Sequence, residues 1–169
     1  MSVFLFAVLL VSCNASKQVV HEDPAYTRTI TTRSEKIVRT LAISDSVKAN
    51  QVIAIITNQY RNLNSVYTER DEQIKSIKQS GISKDEANKK IKKLEASIDK
   101  KIAKLHATFL SKLSSELSND QVTQVKDGMT YNVLRVTYTA YVDMIPDLTG
   151  EQKNQIMSWL VEAREHAID

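Results

Sequence analysis

The segment at residues 127–131, DGMTY, is where the sequence departs most from a local rule. A carboxylate and a glycine interrupt the most apolar helix-length stretch of the chain, and such departures can mark functional sites. With Arg135 and Tyr138, Asp127 and Tyr131 would line a polar pocket for a sugar or a peptide. In the alternative, structural interpretation, the glycine allows close helix packing, Asp127 pairs with a lysine or arginine such as Arg135, and the tyrosines are core residues.

A second set of candidate binding residues lies in a lysine-rich stretch at residues 75–104. The stretch holds ten lysines, no arginine and four acidic residues. Its central lysines Lys89, Lys92 and Lys93 would bind an anionic glycan, a phospholipid headgroup or an acidic protein partner. Exposed lysines often serve only to keep a protein soluble, so the alternative is a solvated face. The absence of interleaved aromatic residues argues against nucleic acid as a partner.

Motifs for covalent or nucleotide chemistry are absent from the sequence. It contains no G-x-S-x-G elbow, no glycine-rich phosphate loop and no paired-cysteine motif. Glu162 and His166 lie four residues apart, a spacing that can ligate a metal, but no second ligand set accompanies them, so a helix-stabilising ion pair is favoured. We therefore predict no catalytic residue, no metal and no cofactor, and lean against an enzyme.

The beginning of the chain predicts export. Residues 3–11, VFLFAVLLV, are nine consecutive apolar residues followed by a small polar stretch, a pattern typical of a signal peptide at residues 1–16 and too short to span a bilayer. Residues 10–13, LVSC, resemble a bacterial lipobox, in which Cys13 would be lipidated; the alternative is ordinary cleavage near Ala15. Either route leads to a Gram-negative-type envelope, where the protein would be periplasmic or would be a lipoprotein attached to the membrane only through its lipid anchor.

Composition and periodicity predict an all-α protein with one domain at residues 22–169. Three glycines and two prolines leave few places for turns. Apolar stripes predict two long helices that fold back on each other as an antiparallel coiled-coil hairpin at about residues 45–117. All six facing pairs in this hairpin, such as Leu63 with Ile102, have position numbers that add to the same total, as one fixed register requires.

The central element of the predicted bundle is a helix at residues 121–144. Its apolar residues go nearly all the way round the helical period, so we expect it to be buried. A capping box begins it at Ser118, and Pro146 follows its end. A further box at Thr149 begins the last helix. The prediction is therefore a bundle of about five helices around a buried central helix.

Two resemblances follow from these motifs. Residues 117–121, LSNDQ, and 148–152, LTGEQ, resemble the L-T-x-x-Q motif of the Spy/CpxP-type periplasmic proteins, which are small helical chaperones and stress sensors. The segments QYRNLN at 59–64, QVKDGMTY at 124–131 and WLVEAREHA at 159–167 resemble an uncharacterised family of exported bacterial proteins, a domain of unknown function. This second resemblance implies export and a helical fold, and it carries no catalytic residues.

Two functions remain open on the sequence alone. The first is a non-enzymatic envelope protein that binds a partner or an unfolded client through the hairpin and the groove beside the central helix. The second is a glycan-processing accessory protein or enzyme with its site near residues 127–138. An open pocket with convergent polar groups at Asp127 would favour the second, because a closed core there would eliminate that site. The oligomeric state is not predicted.

Overall fold

The computed structural model describes residues 23–169, which form six α-helices and no strand. The helices are α1 (Pro24–Arg39), α2 (Ser46–Gln79), α3 (Lys84–Glu116), α4 (Asn119–Met129), α5 (Val133–Met144) and α6 (Gly150–Ala167). The predicted all-α bundle is confirmed. The predictions of a signal peptide and of lipidation at Cys13 lie outside the described residues. Within the described part, no helix is both long enough and apolar enough to cross a membrane.

Short-range capping begins the helices, as the sequence predicts. In the box before α4, Ser118 Oγ accepts from the Gln121 N–H at 3.3 Å, and the Gln121 side chain accepts from the Ser118 N–H at 3.2 Å. Thr149 and Gln152 form the same reciprocal pair before α6. Each box satisfies two donors that the first helical turn leaves without partners. These two predicted helix starts are confirmed.

The α2–α3 hairpin, here called the arm, is antiparallel and joins the core only at its base. There Val52 and Ile56 of α2 and Phe109 and Leu113 of α3 are buried. Towards the tip, apolar stripe residues such as Ile74 are only partly buried, because none of the other four described helices covers the hairpin there. The facing register proposed above stays a prediction.

The core lies where α1, the base of the arm and α4 meet. Its buried members come from the end of α1, both arm helices, α4 and the end of α6: Ile37, Val38, Leu41, Val52, Ile56, Phe109, Leu113, Leu117, Val122, Val125, Met129 and Ile168. The α4 helix packs so closely against α1 that a Cβ added at Gly128 would lie 3.0 Å from Cγ1 of Ile37. The predicted close helix packing at Gly128 is confirmed.

The single buried helix predicted at residues 121–144 is wrong in its second half. The chain leaves helical geometry at Thr130, and Tyr131 and Asn132 adopt left-handed φ values of 55° and 59°. The N–H of Asn132 donates to the Asp127 carbonyl at 2.7 Å and that of Tyr131 to the Gly128 carbonyl at 3.3 Å. These are the two hydrogen bonds of a Schellman motif, which ends a helix.

Beyond this turn, α5 has a different environment from α4. None of its residues is buried, whereas Val122, Val125 and Met129 of α4 all are. The α5 helix packs mainly against α6, so one apolar side faces solvent. Residues 23–169 therefore form six helices rather than about five, and the most apolar of these six lies at the surface.

Candidate functional site

An open cleft of about 490 Å³ lies between α1 and the C-terminal end of α4. We call it the α1/α4 cleft. Its walls carry two cations, one carboxylate, two amides, a hydroxyl and an aromatic ring: Arg33, Lys36, Ile37, Thr40, Gln124, Asp127, Gly128, Tyr131 and Asn132. A cleft with several convergent polar groups is the usual form of a ligand site. Asp127 therefore lies at an open cleft and not in a closed core, so a site near this residue is not eliminated.

Arg33 is the most unusual group in this cleft. Its guanidinium carbon lies 4.9 Å from the ring centre of Tyr60 and 4.3 Å from that of Tyr131, so the cation contacts two aromatic rings. One terminal nitrogen donates to the main-chain oxygen of Met129 at 2.7 Å. The Nε–H is buried and finds no acceptor within residues 23–169. A buried donor without an acceptor is rare, and it calls for an explanation in a binding cleft.

Tyr60 provides the less exposed of the two rings that contact Arg33. Burial raises the pKa of its hydroxyl to about 12, although the positive charge of Arg33 acts in the opposite direction. That hydroxyl is buried with no partner among the described residues. Because it stays protonated at any physiological pH, Tyr60 supplies a neutral ring face for the guanidinium rather than an acid or a base.

Tyr131 forms the outer wall from a strained position. A left-handed φ is uncommon for a bulky residue, and two consecutive examples outside glycine cost of order 1–3 kcal/mol each. The Tyr131 side chain is 71% exposed although one face of its ring contacts Arg33. The turn therefore holds a large aromatic ring in solvent at the mouth of the cleft, and strain of this kind is common at functional sites.

Asp127 belongs to an ion-pair network between α4 and α6. Its Oδ1 accepts from Nη1 of Arg164 at 2.7 Å, and Arg164 also binds Glu165 at 3.1 Å. Lys126 completes the network with a 2.6 Å contact to Glu165. Burial alone would raise the pKa of the Glu165 carboxyl, but hydrogen bonds and charge from Lys126 and Arg164 outweigh it and lower that pKa. The charge of Asp127, the carboxylate in the cleft, is thus offset by Arg164, which does not itself line the cleft.

The chain matches a known protein family along most of its length. The family described as a protein of unknown function (DUF3826) matches residues 27–169. The chain belongs to this family. The predicted resemblance to an uncharacterised domain family is therefore confirmed, whereas the match does not address export or the likeness to the Spy/CpxP-type proteins. No curated protein matches the chain.

The structure brings together only two of the four residues predicted for a site at 127–138. Asp127 and Tyr131 line the α1/α4 cleft of this DUF3826 member, but Arg135 and Tyr138 do not. Both lie on α5, where Arg135 is exposed and Tyr138 is half-buried. Asp127 pairs with an arginine, as predicted, but the partner is Arg164 and not the suggested Arg135, because the turn at residues 130–132 redirects α5.

The lysine candidates lie far along the chain from this cleft, on α3 near the tip of the arm. Lys89, Lys92 and Lys93 are all exposed. Nearby Lys90 forms an exposed i,i+4 pair with Glu86 at 3.3 Å, and such pairs contribute little to stability. A role of Lys89, Lys92 and Lys93 in binding an anionic partner remains a prediction.

A second cleft, of about 440 Å³, lies between the middle of α3 and the end of α6. His106 Nδ1 lies 2.6 Å from Oδ2 of Asp169, and Gln59 and Tyr67 of α2 donate to the other side-chain oxygen and to the main-chain oxygen of Asp169. Burial raises the pKa of the Asp169 carboxyl in spite of the nearby His106. These contacts fasten the end of α6 to the arm. Within residues 23–169, no group of three or more His, Cys, Asp or Glu side chains is placed to hold a metal ion.

Proposed function

We propose that this DUF3826 protein is a non-enzymatic binding protein that takes the anionic group of a glycan in its α1/α4 cleft. The observation that carries the proposal is Arg33, whose guanidinium lies beside the rings of Tyr60 and Tyr131 and whose side chain lines the cleft. A carboxylate or sulfate in the cleft would be attracted by this guanidinium charge and would accept hydrogen bonds from its remaining N–H groups, and hydrogen bonds to ionised acceptors are the strong ones.

The charge balance of the cleft supports an anionic ligand. Arg33 and Lys36 are both cationic, and Asp127 has its charge offset by Arg164. The amides of Gln124 and Asn132 and the Thr40 hydroxyl line the same cleft and offer both donors and acceptors for sugar hydroxyls. The combination of a net positive charge with neutral polar groups suits an acidic glycan.

The arrangement supports binding rather than glycan hydrolysis. Asp127 is the only carboxylate among the described residues that line the cleft, and it is already paired with Arg164 at 2.7 Å. Glycosidases need two carboxylic groups on either side of the scissile bond, one of them able to donate a proton. We therefore favour an accessory protein over an enzyme.

The cellular location is part of the proposal. The apolar segment at residues 3–11 and the lipobox-like Cys13 support export to a Gram-negative-type envelope, where glycans are available as ligands. Anchoring through a lipid on Cys13 would hold the cleft near the membrane without a membrane-spanning helix.

The test is a titration of a galacturonate tetramer into the full chain by calorimetry, at low and at moderate salt. We expect Arg33→Met to weaken binding at least tenfold, since a charged hydrogen bond contributes ~1.5–3 kcal/mol. Arg28→Met is the matched control, because Arg28 is an exposed arginine on the same helix. Equal losses in the two variants, or affinity that ignores salt, would contradict the proposal.

A second candidate function, chaperone-like binding of an unfolded protein client, is supported by the surface of α5. Val136 is 65% exposed and Met144 is 71% exposed, next to Tyr141 and Ile145. Exposed apolar patches on soluble proteins often mark interaction sites. Light scattering of an aggregating client, with this protein in stoichiometric excess, tests this function. Aggregation that proceeds unchanged would remove it.

A further inference from the structure

We infer that Tyr131 determines the specificity of the α1/α4 cleft by stacking on a pyranose ring, so that the ligand is a carboxylated sugar rather than an anion without a ring. This inference rests on the proposed anion site at Arg33 and adds the identity of the group that carries the charge. Its basis is the placement of one exposed aromatic ring beside Arg33, in a cleft that Lys36 also lines.

The ring of Tyr131 has one occupied face and one free face. Arg33 lies 4.3 Å from the ring centre on one side, and the side chain is nevertheless 71% exposed. A side chain that exposed cannot have both faces covered. The free face is therefore a flat apolar platform at the mouth of a polar cleft, and the C–H face of a pyranose packs on such a ring through dispersion and buried apolar area.

The backbone explains how the platform is held in place. Tyr131 and Asn132 adopt left-handed conformations, and two Schellman hydrogen bonds, to the carbonyls of Asp127 and Gly128, fix the turn. Glycine is the usual residue at such a position because a Cβ is unfavourable there. A tyrosine at this position adds strain without burying its side chain. Strain of this kind is compensated elsewhere and is typical of ligand sites.

The groups around the platform match an acidic sugar. Lys36 and Arg33 provide the cations for a carboxylate, and the Asn132 amide follows Tyr131 directly in the chain and lines the same cleft. A ring on Tyr131 would therefore have cations and a hydroxyl-binding amide within the same cleft. A flexible acidic peptide would find the cations but would leave the platform unused.

The experiment compares three ligands of similar length: a galacturonate tetramer, a neutral galactose tetramer and tetraglutamate. We expect the galacturonate tetramer to bind at least tenfold more tightly than tetraglutamate, and Tyr131→Gly to remove about tenfold of the galacturonate affinity. Glycine is chosen because it accepts the left-handed φ without strain. Tyr131→Phe should stay within about twofold of the parent, because stacking needs the ring and not the hydroxyl.

Two controls separate the platform from other effects. Tyr141→Ala removes another exposed tyrosine, which lies on α5 outside the cleft, and should leave all affinities unchanged. Thermal melts of Tyr131→Gly and Tyr131→Phe show whether the fold is retained. If Tyr131→Gly lowers galacturonate and tetraglutamate binding equally, the ring acts only through Arg33 and the inference fails.

The outcomes also distinguish this inference from the proposed function. Equal affinity for tetraglutamate and the galacturonate tetramer, lost in both cases with Arg33→Met, would overturn the role of Tyr131 and keep the anion site. No binding of either acidic ligand would overturn the anion site itself. Preference for the galacturonate tetramer that disappears in Tyr131→Gly and persists in Tyr131→Phe would support both.

Discussion

The helices α4 and α5 come from one continuous apolar stretch of sequence but occupy opposite environments. Val122, Val125 and Met129 of α4 are between 0% and 8% exposed, whereas Val133, Val136 and Met144 of α5 are between 55% and 71% exposed. Both helices are comparably rich in valine. Composition therefore does not decide which of the two is buried.

The difference comes from the neighbours that each helix meets. The α4 helix packs against α1, α3 and α6, whereas α5 packs mainly against α6. The turn at residues 130–132 ends α4 with two hydrogen bonds and sends α5 away from the core. An apolar helix is buried only if the chain places other elements on every side of it, and here the turn prevents that.

The largest expected effect comes from placing a charge at equivalent residue types in the two helices. Val125→Asp puts a carboxylate at a position that is 0% exposed, whereas Val136→Asp puts it at one that is 65% exposed. We expect a loss of roughly 3–5 kcal/mol of unfolding free energy for the first and less than about 0.5 kcal/mol for the second. Urea unfolding followed by circular dichroism measures both. Similar losses would show that α5 is buried in solution, as α4 is.

The buried half of the stretch was largely predictable and the exposed half was not. Ser118 and Thr149 act through hydrogen bonds to residues three positions away, so local sequence specifies those helix starts. The break at Tyr131 uses a left-handed tyrosine, and no glycine or proline marks it. The periodic pattern of apolar residues therefore predicts, wrongly, one helix that continues through the turn. The same error places Arg135 in the candidate site.

Arg33 was missed although its position carries a signal. It lies three residues after Ile30 and four before Ile37, on the buried and mostly apolar face of α1. A charged residue on an apolar face requires a partner. The partners, the rings of Tyr60 and Tyr131, are distant in sequence, and only tertiary packing brings them together.

The second expected effect concerns the network that ties α4 to α6. Arg164 is only 10% exposed and binds both Asp127 and Glu165, so Arg164→Met leaves two partly buried carboxylates without this partner. We expect a loss of about 2 kcal/mol at neutral pH, less than for a fully buried pair because the two acids are partly solvated. Arg135→Met on exposed α5 is the matched control and should be nearly neutral.

The same variant has a defined pH dependence. Because the folded pKa of Glu165 lies below its ordinary value of 4.5, its contribution to stability is present above that value and is lost as the pH falls through the folded pKa. The difference between Arg164→Met and the parent should therefore shrink as the pH falls below 4.5. The raised pKa of Asp169 acts in the opposite direction, but it is common to both proteins. A constant difference down to acidic pH would reject this role for the network.

A smaller effect is expected at Gly128, where α4 approaches α1. Alanine is the better helix former by about 1 kcal/mol, but its Cβ would meet the Cγ atoms of Ile37 at 3.0 and 3.1 Å. Because Ile37 is β-branched and buried, overpacking should prevail, and we expect Gly128→Ala to lose about 1 kcal/mol. In an Ile37→Ala background the same change should become stabilising. Stabilisation in the parent would show that α1 and α4 can move apart.

The smallest effect on stability, and the sharpest test of the exposed half, is expected on α5. The double variant Val136→Ser, Met144→Ser changes side chains that are 65% and 71% exposed, so the unfolding free energy should change by less than about 0.5 kcal/mol. Val47→Ser is the matched control, because Val47 is also 65% exposed but lies at the start of α2. If the apolar face of α5 binds unfolded clients, the double variant should lose suppression of client aggregation and Val47→Ser should retain it. Equal suppression by all three proteins would show that the exposed face of α5 does not bind clients, and would leave the α1/α4 cleft as the candidate site.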